Sequence, residues 1–134
     1  MRRLSRPSFA QAQVLTACLQ SVDDQNMAAR CNAIAPLMSQ EELDYDQLAS
    51  AGQLDLWLAH PRGGDPALVL GQVTRGELKG LYTNHMARSG KVARNFYDQI
   101  RVSAPSNICP YCGIGGVETV DHFLPKSHYS SLSI

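Results

Sequence analysis

Several things are missing from this sequence. It carries no net charge: 12 Lys and Arg face 12 Asp and Glu over 134 residues. That balance argues against a protein that coats nucleic acid, while leaving a local grip on a polyanion open. No apolar stretch approaches the roughly 20 residues that span a bilayer. No apolar core follows Met1-Arg2-Arg3, as a secretory leader would require. A soluble, cytoplasmic protein with no membrane partner is expected. The cysteines are few, Cys18, Cys31, Cys109 and Cys112, and in that compartment a disulfide framework is not expected. Also absent are internal repeats, low-complexity tracts, a glycine-rich phosphate loop and a GxSxG elbow; no serine stands in an activating context.

What is there fits one domain, or a helical domain of residues 1–104 followed by a small C-terminal module of residues 105–134. Charge is unevenly spread. Residues 1–20 are net +3 through Arg2, Arg3 and Arg6, and residues 21–70 are net −6. Residues 71–104 are net +4, with Arg75, Lys79, Arg88, Lys91, Arg94 and Arg101, and the remainder is net −1. The basic stretch leads into the second cysteine pair, where attraction for a polyanion would be useful; a plain solvated face is the competing reading.

Helical patterning dominates the first 104 residues. Ser8 and Gln11 have capping-box spacing, and Leu15, Cys18, Leu19 and Val22 form an inward stripe behind them. A second helix is expected from Asp24 to Ala35, stopped by Pro36, with Cys31 and Ile34 buried. Ser39 and Glu42 suggest a further box ahead of Leu43 and Leu48. A short helix bearing Leu54, Trp57 and Leu58 should precede a loop at 60–66, with His60 on the surface or locally bonded, and a segment at Ala67–Leu70. Thr74 and Glu77 open a helix whose Leu78, Leu81, Tyr82, His85 and Met86 share a side. After Ser89-Gly90, Val92, Phe96 and Ile100 recur four apart, giving a helical hairpin with an apolar seam and a basic outer side. "SAPSN" at 103–107 reads as a hinge.

Two groups near the C-terminus could carry chemistry. In "CPYCG", Cys109 and Cys112 can aim two thiolates at one ion across a tight turn, which is half of a tetrahedral zinc site. A redox dithiol and structurally idle cysteines are the alternatives. In "VETVDHFLPKS", a β-prone run from Val117 to Val120 ends at Asp121-His122. Adjacent strand residues point to opposite faces, so strand-end twist is needed to bring both to one phosphate. Asp121 suits a hard divalent ion such as Mg2+ or Mn2+, His122 suits deprotonation of water, and Lys126 suits phosphate. An exposed Asp-His pair with no catalytic task is the alternative.

Taken together, Cys109-Pro110-Tyr111-Cys112-Gly113, Asp121-His122-Phe123-Leu124-Pro125-Lys126-Ser127 and Leu132-Ser133-Ile134 resemble the HNH endonuclease family, bacterial members with an N-terminal helical region above all. The resemblance implies a mainly α-helical protein ending in a partial ββα-metal, treble-clef-like module with a zinc knuckle and a β segment. It implies His122 as the residue that activates water, Asp121 as a ligand of a catalytic Mg2+ or Mn2+, and Cys109 and Cys112 as ligands of a structural Zn2+. Nucleic acid, DNA foremost, is the implied substrate, and an antiviral defence setting beside an ATPase the implied context. The family normally continues with an Asn-Leu segment, a second CxxC and a terminal Asn or His on a helix, and often has proline where Ser130 stands. The module is therefore expected to be incomplete, weak or inactive alone, and loose after residue 105, with a non-catalytic interaction module as the rival reading.

Overall fold

A computed structural model describes residues 4–122 and 124–134 of the chain. Arg2 and Arg3 of the basic opening, and Phe123 of the Asp-His stretch, lie outside the described residues. Among the described residues the fold is mainly helical, with one small antiparallel sheet.

Three helices come first: α1 covers Gln11–Leu19, α2 Gln25–Ala33 and α3 Ala35–Ala51. The expected Ser8-Gln11 box does not form. Ala10 is the N-cap of α1, and its amide donates to Gln13 Oε1 at 2.8 Å, which leaves Gln11 to a buried role described below. Asp24 caps α2 by accepting from the amides of Asn26 and Met27 at 2.9 and 3.0 Å, satisfying two donors that the first turn cannot pair. Pro36 does not stop that helix. α2 ends at Ala33, and Pro36 sits in the first turn of α3, where its missing N–H has no partner to lose. Ser39 and Glu42 consequently fall inside α3, and Glu42 turns to Arg6 at 3.0 Å and to the Gln11 amide at 3.2 Å.

The core gathers on the inner faces of these helices. Val14, Leu15 and Cys18 of α1, Cys31 of α2, Ile34 at the α2–α3 junction and Met38 of α3 are all buried. Each large aliphatic side chain there contributes roughly 1.5–3 kcal/mol by leaving water. The helix expected around Trp57 shrinks to one 3₁₀ turn, Leu54–Leu56, and Leu58 is 87% exposed. The chain then enters β1 (Leu68–Leu70), which pairs antiparallel with β2 (Val73–Thr74). Gly71 turns between them at φ +55°, and a Cβ there would stand 2.9 Å from Ile34 Cγ2. Both facts require glycine.

α4 (Arg75–Gly80) opens on the expected Thr74-Glu77 box: Thr74 Oγ1 accepts from the Glu77 amide at 3.2 Å, and the Thr74 amide donates to Glu77 Oε2 at 2.9 Å. Arg30 of α2 grips the same carboxylate at 2.9 Å, and this hydrogen bonding holds the Glu77 carboxyl down at about 2. The helix then widens into a π-helical turn, Leu81–Met86, whose Ala87 amide reaches back five residues to Tyr82 O at 2.8 Å. That five-residue spacing puts both Leu81 and Met86 in the core and leaves Tyr82 and His85 half-buried. His85 is a packed, hydrogen-bonded residue, its Nδ1 2.7 Å from Ser21 Oγ. α5 (Arg94–Val102) packs against the π-helical turn. Phe96 and Ile100 of the expected seam pack against the core, whereas Val92 precedes the helix and is 55% exposed; the most buried positions are Ala93, at the N-cap, and Tyr97.

Candidate active site

The hinge before the cysteines is a shaped element. Pro105–Asn107 forms a 3₁₀ turn, and Ser106 and Asn107 both take positive φ, 58° and 55°. Beyond it the chain doubles back through residues 110–114, and two short backbone runs lie side by side. Ile108 bridges Gly116 antiparallel, the Cys109 amide donates to Gly115 O at 2.8 Å, and the Val117 amide donates to Asn107 O at 3.1 Å. Gly113, at φ +70°, closes the loop with its amide on Cys109 O at 2.9 Å. Cys109 is half-buried and Cys112 exposed. Hydrogen bonds from the Gly115 and Ile114 amides, and then from Cys109, lower the Cys112 thiol. Cys18 and Cys31 are the opposite case: burial pushes their thiols up to about 12 and about 11, so they are core material.

After this loop the run from Val117 to Val120 does not form the expected strand. Two tyrosines take the place of a neighbouring strand at Val120. Its amide donates to Tyr97 Oη at 3.1 Å, and its carbonyl accepts from Tyr82 Oη at 2.7 Å. α5 and the π-helical turn thus hold the segment that delivers the Asp-His pair.

Asp121 is exposed, and its Oδ1 accepts from the His122 amide at 2.8 Å. His122 Nε2 lies 2.9 Å from the Ser133 carbonyl, and its ring stands edge-on to Tyr82 with centroids 4.4 Å apart. A carbonyl only accepts, so Nε2 carries the proton and the lone pair of the neutral ring is on Nδ1. Lys126 Nζ sits 5.0 Å above the Tyr82 ring and 3.5 Å from Thr83 Oγ1. Asp121 and His122 border two adjoining clefts. One, of about 390 Å³, is walled by Phe9, Tyr45, Met86 and Tyr111. The other, of about 630 Å³, includes Lys79, Lys126, Thr119 and Ser127.

The segment expected to hang loosely after residue 105 is drawn into the body at its far end. Ser130–Leu132 is a 3₁₀ turn, and Ser130, Ser131 and Ser133 are buried. Gln11 Nε2 donates to Ser131 O at 2.6 Å and to Ile134 O at 3.1 Å, and Ser133 Oγ donates to Leu78 O at 3.2 Å. His60 belongs to the same knot. It is half-buried, with Nδ1 3.1 Å from Ser130 Oγ and Nε2 3.0 Å from Ser131 Oγ, while its amide donates to His128 O at 2.9 Å. Burial, then Arg75, lowers its pKa. Nothing in the sequence around His60 announces partners some 70 residues away.

The basic outer side is partly engaged locally. Arg94 donates to Ala87 O, pairs with Asp98 at 3.1 Å and lies 4.2 Å over the Tyr97 ring. Arg101 stands 3.8 Å from the same Asp98. Among the described residues no three His, Cys, Asp or Glu side chains gather closely enough to hold a metal ion, and no helix is long and apolar enough to cross a membrane.

The chain is similar to protein ea31 of Escherichia phage lambda, 34% identical over 137 aligned residues that take in all of this chain and 45% of that protein. The chain therefore spans about half the length of the curated relative it matches. No family model matches it, and no solved structure does.

Proposed function

We propose that this chain carries part of a metal-dependent endonuclease of the HNH kind, acting on the phosphodiester bonds of nucleic acid, DNA foremost. The observation behind the reading is the 2.9 Å contact of His122 Nε2 with the Ser133 carbonyl. It leaves Nδ1 able to take a proton from water, next to an exposed carboxylate and within a cleft that two lysines border. Asp121 fits a Mg2+ or Mn2+ site only in part. Such ions are often held by one or two carboxylates together with substrate phosphate oxygens and water, and one carboxylate is what this corner offers. When bound, the ion would supply charge neutralisation at the phosphate. Cys109 and Cys112 supply two of the four donors of a tetrahedral zinc site, and two more would be needed to complete it.

The protein's own groups then have distinct tasks. His122 Nδ1 accepts the proton of the attacking water. Lys126 draws the backbone phosphates in, an attraction that weakens with salt and carries no sequence information, while Lys79 is paired with Asp65 at 2.8 Å. In the natural protein as its gene encodes it, His122→Ala should lower cutting of supercoiled plasmid with Mn2+ by at least about 100-fold, the lower end of what a general base contributes. Plasmid affinity should change by less than about 3-fold, because the cations that attract phosphate remain. Unchanged cutting by the variant would remove His122 from the chemistry.

A second reading is favoured by Leu37, Leu43, Leu56 and Leu58, which remain exposed on α3 and the turn after it. They would suit a helical interaction module, with an ATPase or other defence-system subunit as the partner that the resemblance implies. Plasmid cutting that depends on His122 favours the enzyme.

A further inference from the structure

We infer that His60 is a positioning residue for His122, acting through the serine turn at 130–133. The inference deepens the proposed function, since it rests on His122 being the base.

The connection is short and made of named atoms. Both ring nitrogens of His60 are engaged by consecutive hydroxyls, Ser130 Oγ at 3.1 Å and Ser131 Oγ at 3.0 Å. Its backbone amide ties the turn's approach at His128 O, 2.9 Å away. From α1, Gln11 holds Ser131 O and Ile134 O on either side of Ser133, and Ser133 Oγ, with one proton to share, lies between Ser130 O at 2.6 Å and Leu78 O at 3.2 Å. The carbonyl that emerges from this turn is that of Ser133, the one that meets His122 Nε2 at 2.9 Å. Fixing that carbonyl fixes which nitrogen of His122 carries the proton, and so which one is free for the reaction.

Burial, and Arg75 after it, lower the pKa of His60. Arg75 lies close enough to disfavour a second proton. Its guanidinium is itself tied to the carbonyls of Gly63 and Pro61, which keeps the loop after His60 against α4. Glu41 is half-buried near Ser131, and burial raises its carboxyl above the ordinary range. A neutral His60 ring can meet both hydroxyls, donating to one and accepting from the other. Leucine would fill its volume and drop both bonds, whereas a glutamine amide offers a donor and an acceptor at comparable separation.

The test reads the tautomer of His122 rather than activity. Long-range ¹⁵N–¹H spectra of histidine-labelled protein, assigned with His122→Asn, should show His122 in the wild type with Nε2 protonated and Nδ1 bare above neutral pH. In His60→Leu the two nitrogen shifts should move toward each other as both tautomers become populated, and His60→Gln should restore most of the separation. Ser130→Ala combined with Ser131→Ala keeps the ring and removes its partners, and should behave like His60→Leu. A wild-type His122 without the Nε2-protonated form overturns the inference at once. So does a tautomer that stays fixed in every folded variant. Cutting is scored separately: a tautomer that follows His60 in a protein that never cuts DNA leaves the clamp standing and removes the nuclease reading.

Discussion

At the scale of single residues, one histidine acquires its chemistry from a carbonyl and another from two hydroxyls. The Asp-His pair was legible in the sequence as a chemical motif, and so were Cys18 and Cys31 as core thiols, because neighbours at helical spacing carry that information. The roles of His60 and Gln11 were not. Their partners lie about 70 and 120 residues away, and no local pattern encodes contacts at that separation. The cysteines give a direct prediction. Amides from Gly115 and Ile114 lower the Cys112 thiol, whereas burial raises those of Cys18 and Cys31. Iodoacetamide at neutral pH in native protein should label Cys112 first and leave Cys18 and Cys31 unlabelled, with zinc protecting Cys112. Mass spectrometry of tryptic peptides reads this, and prior labelling of Cys31 would contradict it.

At the scale of elements, caps and turns explain where the sequence reading succeeded. Asp24 and Thr74 sit where their side chains satisfy first-turn amides, and both helices begin there. Ser8 and Ser39 match the same spacing without the position, so spacing alone selects poorly between boxes. Pro36 follows a related rule: a proline that cannot continue one helix can begin the next. Val117–Val120 had strand-like composition, yet Tyr82 and Tyr97 supply the hydrogen bonds at Val120 that a strand would have given. Two substitutions test these statements by urea denaturation. Thr74→Ala should lower stability by about 1 kcal/mol through loss of the cap. Gly71→Ala should lower it by more than about 1 kcal/mol, since positive φ and the 2.9 Å approach to Ile34 both oppose a side chain. Equal stability of Gly71→Ala and wild type would show the turn to be misassigned.

At the scale of the whole molecule, the C-terminal stretch closes over the helices. Val120 and Ile134 pack against the core, and Phe9 meets Phe96 edge-on at 4.7 Å. Such closure joins distant segments, and that is why the sequence revealed helices and a motif but not how the motif is seated. Burial also makes stability depend on pH. Burial lowers the pKa of His60, with Arg75 adding to it, and burial lowers that of His85, with Lys91 adding to it. The unfolded chain therefore takes up these protons first. The stability tied to both rings is complete above their ordinary pKa of about 6.5 and is lost as pH falls through it. Glu77, held at about 2, adds a second loss as pH falls through the ordinary carboxylate range toward that value. The urea midpoint should drop between pH 7.5 and pH 5.5, and by less in His60→Gln; a midpoint that is flat over that interval would contradict the account.

The central claim is that Asp121 and the free Nδ1 of His122 serve one phosphate. The most direct measurement is anomalous diffraction from crystals of the natural protein grown with Mn2+ and a short DNA duplex. The account predicts a manganese peak on the Asp121 carboxylate and on a phosphate oxygen, with His122 Nδ1 within about 3 Å of a water in line with that phosphorus. Manganese absent from Asp121, or His122 Nδ1 turned away from the same phosphate, would contradict it.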